Sequence, residues 1–253
     1  MDMSRHPQSL GMECLSNARE LGGYPVQDGR RVRRGALLRS GALIGASEQD
    51  LKWLTEVYHV GVIADFRSLA EMEDKPDPEL PGAVHCPLPV LGAEDMAGHE
   101  KEILSDQMYI YLLSAPNGIR SFRTFLEQAA GLPEGKALLF HCTQGKDRTG
   151  IASMLLLSVL GADLQTIMDD YLLTNQFNEK LIEQGRSLLA SIYPPEKVEQ
   201  YMSFMEKANW RFMHKALEWM QAEFGSVCGY VEQQLGIPAE MQAQIREKYL
   251  VEA

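Results

Sequence analysis

The stretch from Lys136 to Leu160 restricts the fold more than any other part of the 253-residue chain. It reads KALLF, then HCTQGKDRTG, then IASMLLLSVL. A short apolar run that follows Gly135 suits a buried strand, and a segment apolar on nearly every face suits a central helix. Joining the two through a short polar loop makes a strand-to-helix junction, and strands alternating with helices in this way along the chain imply a mainly parallel sheet covered on both sides.

The rest of the chain fits that plan. Residues 17–41 are rich in glycine and arginine and read as turns and short strands. Ser47 caps an amphipathic helix in which Asp50 occupies the first turn and Leu51, Leu54 and Val57 form the buried stripe, ending near His59. Residues 61–66 (GVIADF) and 83–88 are further strands, separated by EMEDKPDPELPG, which its three prolines mark as loop. Residues 100–114 and 117–130 are expected as helices, the second capped by Asn117. Beyond Gly161 the pattern is almost wholly helical: 162–174, 177–191, a break at Pro194 and Pro195, a long stretch to Phe224, and two shorter helices begun by Ser226 and Pro238. The expectation is one α/β domain over residues 1–253, a mainly parallel sheet flanked by helices. Its C-terminal helical elaboration, about residues 177–224, is either a lid or an outer layer.

The loop HCTQGKDRTG is where chemistry concentrates. At the carboxyl end of a strand and the N-terminus of a helix, amides of Thr143 through Arg148 can turn toward an anion, and the helix dipole adds about half a positive charge. Gly145 permits a backbone shape and a close ligand approach that a side chain would obstruct. Cys142 would lie beneath a bound phosphate as nucleophile, since thiols beside cations at a helix N-terminus ionise readily. Arg148, six residues on, can donate a bidentate pair to two phosphate oxygens, a geometry lysine does not offer. Asp147 is the first choice for general acid, the alternative being that it orients Arg148 or caps the helix; Glu94 and Asp95 are the fallback. Thr143, Gln144, Gly145 and Lys146 line the phosphate site, with Lys146 read as a second cation at its rim. Thr149 either donates to the Cys142 sulfur or serves as a first-turn residue, and His141 supports the loop.

These residues, together with NARELGGY (17–24), LLRSGAL (37–43), ADFRS with a following Glu71, MDDYLLTN (168–175) and FGSVCGYVEQQLG (224–236), resemble in order the protein tyrosine phosphatase superfamily. The GKDR form is similar to its bacterial tyrosine/serine phosphatase branch, some members of which also act on phosphoinositides. The resemblance implies the cysteine phosphatase fold, a cysteine nucleophile, an arginine phosphate clamp and a helical lid. It also draws attention to Arg19, Arg39 and Arg67, for which salt bridges to the abundant carboxylates are an equal explanation, and to Asp65 as a supporting residue. Two departures stand out: Ala18 and Glu20 replace the usual Phe and Asp of Asn-Phe-Arg-Asp, and no WPD-like loop is present, the LPV of residues 88–90 lying where some relatives carry an acid.

A formal charge of -11 argues against a general nucleic-acid or anionic-membrane binder and demands a local basic site for any anionic substrate. The four cysteines are widely spaced, without zinc-ligand spacing, and read as free thiols. No signal-like apolar segment opens the chain, so a soluble cytoplasmic protein is expected, signal-independent secretion staying open. The expected activity is metal-independent, cofactor-free phosphomonoester hydrolysis on a phosphorylated protein, with a phosphoinositide as the alternative substrate. A phosphate-recognition module without turnover and a redox enzyme using Cys142 are the readings from other classes. Oligomeric state is open.

Overall fold

A computed structural model describes residues 6–92 and 99–253 of the chain. A five-stranded sheet runs through it in the order β1-β3-β6-β4-β5, with β1 Arg19–Glu20, β3 Leu37–Ser40, β4 Val60–Asp65, β5 Val84–Pro87 and β6 Ala137–His141. Strands β3, β6, β4 and β5 are parallel, and β1 is an antiparallel edge against β3. A second ladder joins β2 Arg31–Val32 to β7 Leu250–Val251, tying the C-terminal end to the first turns. Periodicity gives no sign of it, because two-residue strands carry no readable alternation.

Side-chain alternation along the buried β6 builds the core on both faces. Leu138 and Phe140 face α5 Pro116–Gly131 and α6 Asp147–Leu160, with Phe125 5.0 Å from Phe140 and 5.3 Å from Phe66 between ring centres. Leu139 faces the other way, with Leu38, Val60 and Ile63, onto Leu54 of α1 Glu48–Glu56. Helix α1 begins as expected, in a capping box where Ser47 and Asp50 bond each other's backbone amides.

Three expectations are corrected. The segment EMEDKPDPELPG is loop only in its proline-bearing part, because α2 Leu69–Asp74 runs into it from a Ser68–Glu71 capping box. Residues 100–114 form two helices, α3 Glu100–Ile103 and α4 Met108–Ser114. Helix α5 starts at Pro116, with Ala115 rather than Asn117 as cap, since proline at the first helical position surrenders no needed N–H.

After α6 come α7 Leu164–Phe177, α8 Glu179–Ala190 and α9 Pro195–Tyr201. The long stretch expected to reach Phe224 is interrupted: a π turn at Met202–Glu206 ends the run, and α10 Trp210–Phe224 starts anew from an Asn209 cap. Helices α11 Val227–Gln233 and α12 Ala239–Tyr249 follow Ser226 and Pro238 as expected. Ile182, Val198 and Met202 form a small core of their own within residues 179–206, apart from the main one.

One buried carboxylate fastens α7 to the sheet edge. Asp170 of α7 is 1% exposed; its Oδ1 accepts from Arg19 Nε at 3.0 Å and Tyr24 Oη at 3.2 Å, and its Oδ2 accepts from Arg39 Nη1. Burial opposes the charge on Asp170, yet the two guanidiniums hold its pKa below the usual range. Burial, aided by the neighbouring Arg19, lowers Arg39 to about 10, so both partners stay charged at neutral pH. Asp170→Ala strands two buried cations and is expected to cost about 3–5 kcal/mol of stability, read from urea unfolding of the variant against the parent.

Candidate active site

Strand β6 delivers His141 and Cys142 to the carboxyl edge of the sheet, and α6 begins at Asp147, so residues 142–146 make the short arch expected. In open α/β sheets this edge is where ligands bind. Gly145 has φ +66°, and a Cβ placed there would lie 2.6 Å from the Ser40 carbonyl carbon. No side chain fits, which accounts for glycine at this position.

The arch is fixed from outside by donors to its carbonyls. Gly145 O accepts from Asn17 Nδ2 and from Arg39 Nη2, both at 2.8 Å, and Gln144 O accepts from Asn17 Nδ2 at 3.2 Å and Asn178 Nδ2 at 3.0 Å. Thr143 O accepts from the Ala42 amide at 3.0 Å. Carbonyls held outward leave the arch amides free to meet an anion on the opposite side. Arg19 does not reach this side: its partners are Asp170, Thr174 and Asn17, whose Oδ1 accepts from Arg19 Nη1. It is a support of the support.

Cys142 is buried, 2% exposed. Arg148 spans from the first turn of α6 to Glu71 of α2, donating Nη1 to Oε2 at 2.7 Å and Nη2 to Oε1 at 3.1 Å, with further bonds to the Phe66 carbonyl at 3.3 Å and the Thr143 hydroxyl at 3.1 Å. Thr143 in turn donates to Glu71. Burial disfavours charge on Arg148, but the neighbouring Cys142 sulfur and Glu71 more than offset it and raise its pKa. Burial opposes ionisation of Glu71 as well, and its bonds from Arg148 and Thr143 prevail, lowering it to about 2. Glu71 is therefore an anion throughout the neutral range, and it presets the plane of the Arg148 fork.

Behind the arch sits a compact polar cluster. Arg67 Nη2 bonds both Asp65 Oδ2 and Asp77 Oδ2 at 2.7 Å, His85 Nε2 lies 3.3 Å from Asp65 Oδ2, and His141 Nε2 lies 3.1 Å from Asp77 Oδ2. Burial opposes the charge on Asp65, but His85 and Arg67 hold it well below the usual carboxylate range. Ligand atoms of Asp65, Asp77, His85 and His141 approach one another closely enough for a metal. The Arg67 guanidinium already satisfies both carboxylates, so a metal would have to displace it. His141 Nδ1 lies 3.3 Å from the Cys142 carbonyl, which places its ring between the arch and Asp77.

Asp147 and Lys146 differ in placement from a simple rim. Lys146 is 2% exposed, and its Nζ donates to Asp147 Oδ1 at 3.0 Å; it is a buried partner of the acid and not a rim cation. Asp147 keeps a face on a cleft of about 830 Å³ that Glu71, Leu91, Met108, Arg120 and Arg148 also line. Its Oδ1 accepts a second bond from Tyr109 Oη at 2.7 Å. The buried Thr149 hydroxyl has no hydrogen-bond partner among the described residues, so the bond to the Cys142 sulfur considered from sequence is not made here. Gln144 donates to Glu206 at 3.3 Å. Glu94 and Asp95 lie outside the described residues.

Sequence reasoning missed Glu71 as a site residue, along with Asn17, Tyr109 and Asn178. For Glu71 a signal existed: Ser68-Leu-Ala-Glu71 is a capping-box pattern, and the helix it starts is what aims the carboxylate at Arg148. Asn178, Asn17 and Tyr109 come from segments far away in sequence, where spacing carries no information.

A family model described as the tyrosine phosphatase family matches residues 10–251. A Cupriavidus necator protein named as a tyrosine-protein phosphatase is 32% identical over 259 residues, covering 95% of this chain and 88% of that protein. The triple specificity protein phosphatase PtpB of Mycobacterium tuberculosis is 26% identical over 108 residues, 40% of this chain and 39% of that protein. A tyrosine-protein phosphatase of Nostoc commune is 40% identical over 58 residues, 23% of this chain and 19% of that protein. With the match running almost from end to end, the chain belongs to the tyrosine phosphatase family and is a phosphoric monoester hydrolase.

Proposed function

We propose that the chain hydrolyses phosphotyrosine, and also phosphoserine or phosphothreonine, through a phospho-cysteine on Cys142 without a metal. The observation that carries this reading is the arch itself, whose carbonyls are held outward over a buried Cys142 while Glu71 holds Arg148 beside it. The Cys142 thiolate attacks phosphorus, forming the S–P bond as the ester P–O bond breaks, and the leaving oxygen takes its proton from Asp147. Water then attacks the phosphorus, giving its proton to Asp147 and releasing inorganic phosphate and the thiolate. Arch amides and Arg148 stabilise the charge on the equatorial oxygens in both steps.

Residues 177–224 act as a lid in this reading, supported by two points where they meet the arch: Asn178 on Gln144 O and Glu206 on the Gln144 amide. Among the described residues no helix is long and apolar enough to cross a membrane.

Phosphoinositides are the second substrate class, and Arg120 favours them. A second phosphate needs a cation in reach of the cleft, and Lys146 is turned inward onto Asp147. Arg120 of α5 is exposed, lines the same cleft as Asp147 and Arg148, and among the described residues donates only to the Asn117 side chain, with no carboxylate partner. The same charge would serve an acidic residue beside a phosphorylated one.

Two sets of variants test these readings. Cys142→Ser should reduce turnover of an aryl phosphate to background yet still bind inorganic phosphate, and Arg148→Lys should lose at least about 100-fold in kcat/KM because the fork is gone. Parent activity should be unchanged in EDTA; activity surviving in Cys142→Ser would refute the covalent route. Arg120→Ala should raise KM about tenfold for a bis-phosphorylated inositol lipid while leaving a small aryl phosphate within about twofold, the difference shrinking at high salt. Equal effects on both substrates would remove Arg120 from substrate selection.

A further inference from the structure

We propose that Tyr109 is the positioning residue of the acid, the last member of a buried hydroxyl chain that holds Asp147 with one oxygen anchored and the other left to deliver the proton. The proposal rests on the reading of Asp147 as general acid.

Four groups line up, from helices α4, α6 and α7 and from the cap of α10. The Asn209 amide donates to Tyr171 Oη at 3.1 Å, Tyr171 Oη and Tyr109 Oη are 2.8 Å apart, and Tyr109 Oη is 2.7 Å from Asp147 Oδ1. A carboxylate oxygen only accepts, so Tyr109 spends its single proton on Asp147 and must accept from Tyr171. Tyr171 therefore gives its proton to Tyr109 at 2.8 Å, the nearer of its two acceptors, the Asn209 carbonyl lying at 3.3 Å, and accepts from the Asn209 amide. One polarity satisfies every member, and hydrogen bonds aligned in one direction strengthen one another.

Both rings are enclosed, Tyr109 being 0% exposed and Tyr171 1%. Burial, joined by the charge on Asp147, pushes both phenols above their ordinary pKa, so the chain stays neutral and donating wherever the enzyme works. Lys146 adds a second donor to the same oxygen, Oδ1. With Oδ1 committed twice, the carboxyl group cannot rotate freely, and Oδ2 is the oxygen that carries the transferable proton. The acid stays inside the mouth of the cleft it lines with Arg148.

The far end of the chain is anchored as firmly. Asn175 of α7 accepts from the Ala208 amide at 2.7 Å and donates to the Ala208 carbonyl at 3.0 Å, which fixes the residue before Asn209. Asn209 also caps α10 through the Arg211 amide. The position of the acid is thereby referred to the point where the helical excursion of residues 179–206 rejoins the body of the protein.

In the step that breaks the ester, orientation of the acid matters only where the leaving group needs a proton, whereas hydrolysis of the phospho-cysteine is common to every substrate, so the test reads the first step alone. Tyr109→Phe keeps the buried ring, and Tyr171 retains Asn209 as a partner. The expected result is a fall of about ten- to a hundredfold in the single-turnover rate of leaving-group release from an alkyl phosphate, with that rate for an activated aryl phosphate within about twofold and substrate affinity for both unchanged. Tyr171→Phe leaves the Tyr109–Asp147 bond in place and should show the same selectivity with a smaller loss, which keeps the test readable if Tyr109→Phe folds poorly. Asp147→Asn, measured alongside, should show the largest leaving-group selectivity of the three. If Asp147→Asn is selective and neither tyrosine variant is, the positioning role is wrong while the acid assignment stands. If Asp147→Asn loses equally on both substrates, the acid assignment falls and the proposal falls with it.

Discussion

Everything at the arch depends on the charge held at Asp170. Arg39 bonds this carboxylate with one guanidinium nitrogen and the Gly145 carbonyl with another, while Arg19 bonds Asp170 and steadies the Asn17 amide that also grips Gly145. Without Asp170, two guanidiniums at 0% exposure would face the arch with no counter-charge. Buried pairs of this kind are doubtful sources of net stability, because desolvation consumes much of the attraction. Their value here is geometric: they set the direction of two carbonyls, and through them the amides that meet phosphate.

Arg148 is prepared in a complementary way. Its fork is occupied by Glu71, and that ion pair settles the guanidinium plane before substrate arrives, sparing a long side chain the loss of rotamer freedom during binding. The carboxylate stays ionised across the neutral range because its pKa lies at about 2, so the arrangement does not loosen with moderate changes in pH. Negative charge next to a phosphate site looks counterproductive, and an acidic protein of net charge -11 makes it more so. The excess is compensated within the site: Lys146 faces Asp147, Arg67 faces Asp65 and Asp77, and the backbone amides with the α6 dipole supply the remaining positive potential.

How far the sequence revealed this follows from which interactions are local. The strand-arch-helix unit, the roles open to Cys142 and Arg148, the need for glycine at Gly145 and the Ser47 cap all depend on residues a few positions apart, and all were legible. The proline-rich stretch misled, because three prolines outweighed the Ser68–Glu71 pattern just upstream, and with helix α2 went the partner of Arg148. The π turn and the break before Asn209 were hidden in a helical periodicity that runs through both. Lys146 is the clearest case of a reading from type and not from place: a lysine in an acidic protein beside a phosphate loop suggests a rim cation, whereas the fold turns it beneath the loop because Asp147 Oδ1 is there to receive it.

Two different parts of the molecule therefore determine the two halves of the proposed reaction. The sheet edge, through Asp65, Arg39 and Asn17, holds the groups that bind and attack phosphorus, and these do not move without disturbing the core. The acid depends on helices α4, α7 and α10, where Tyr109, Tyr171 and Asn209 meet, at the root of an excursion with its own small core. A displacement of that excursion can alter the delivery of the proton while the phosphate cradle keeps its shape. In the step that breaks the ester, leaving groups that need no proton would register little of such a motion, and alkyl phosphates would register it fully. The division makes substrate range a property of the helical region as much as of the arch, and gives a physical reason for an elaborate C-terminal half in an enzyme whose bond-making residues all lie within seven positions of Cys142.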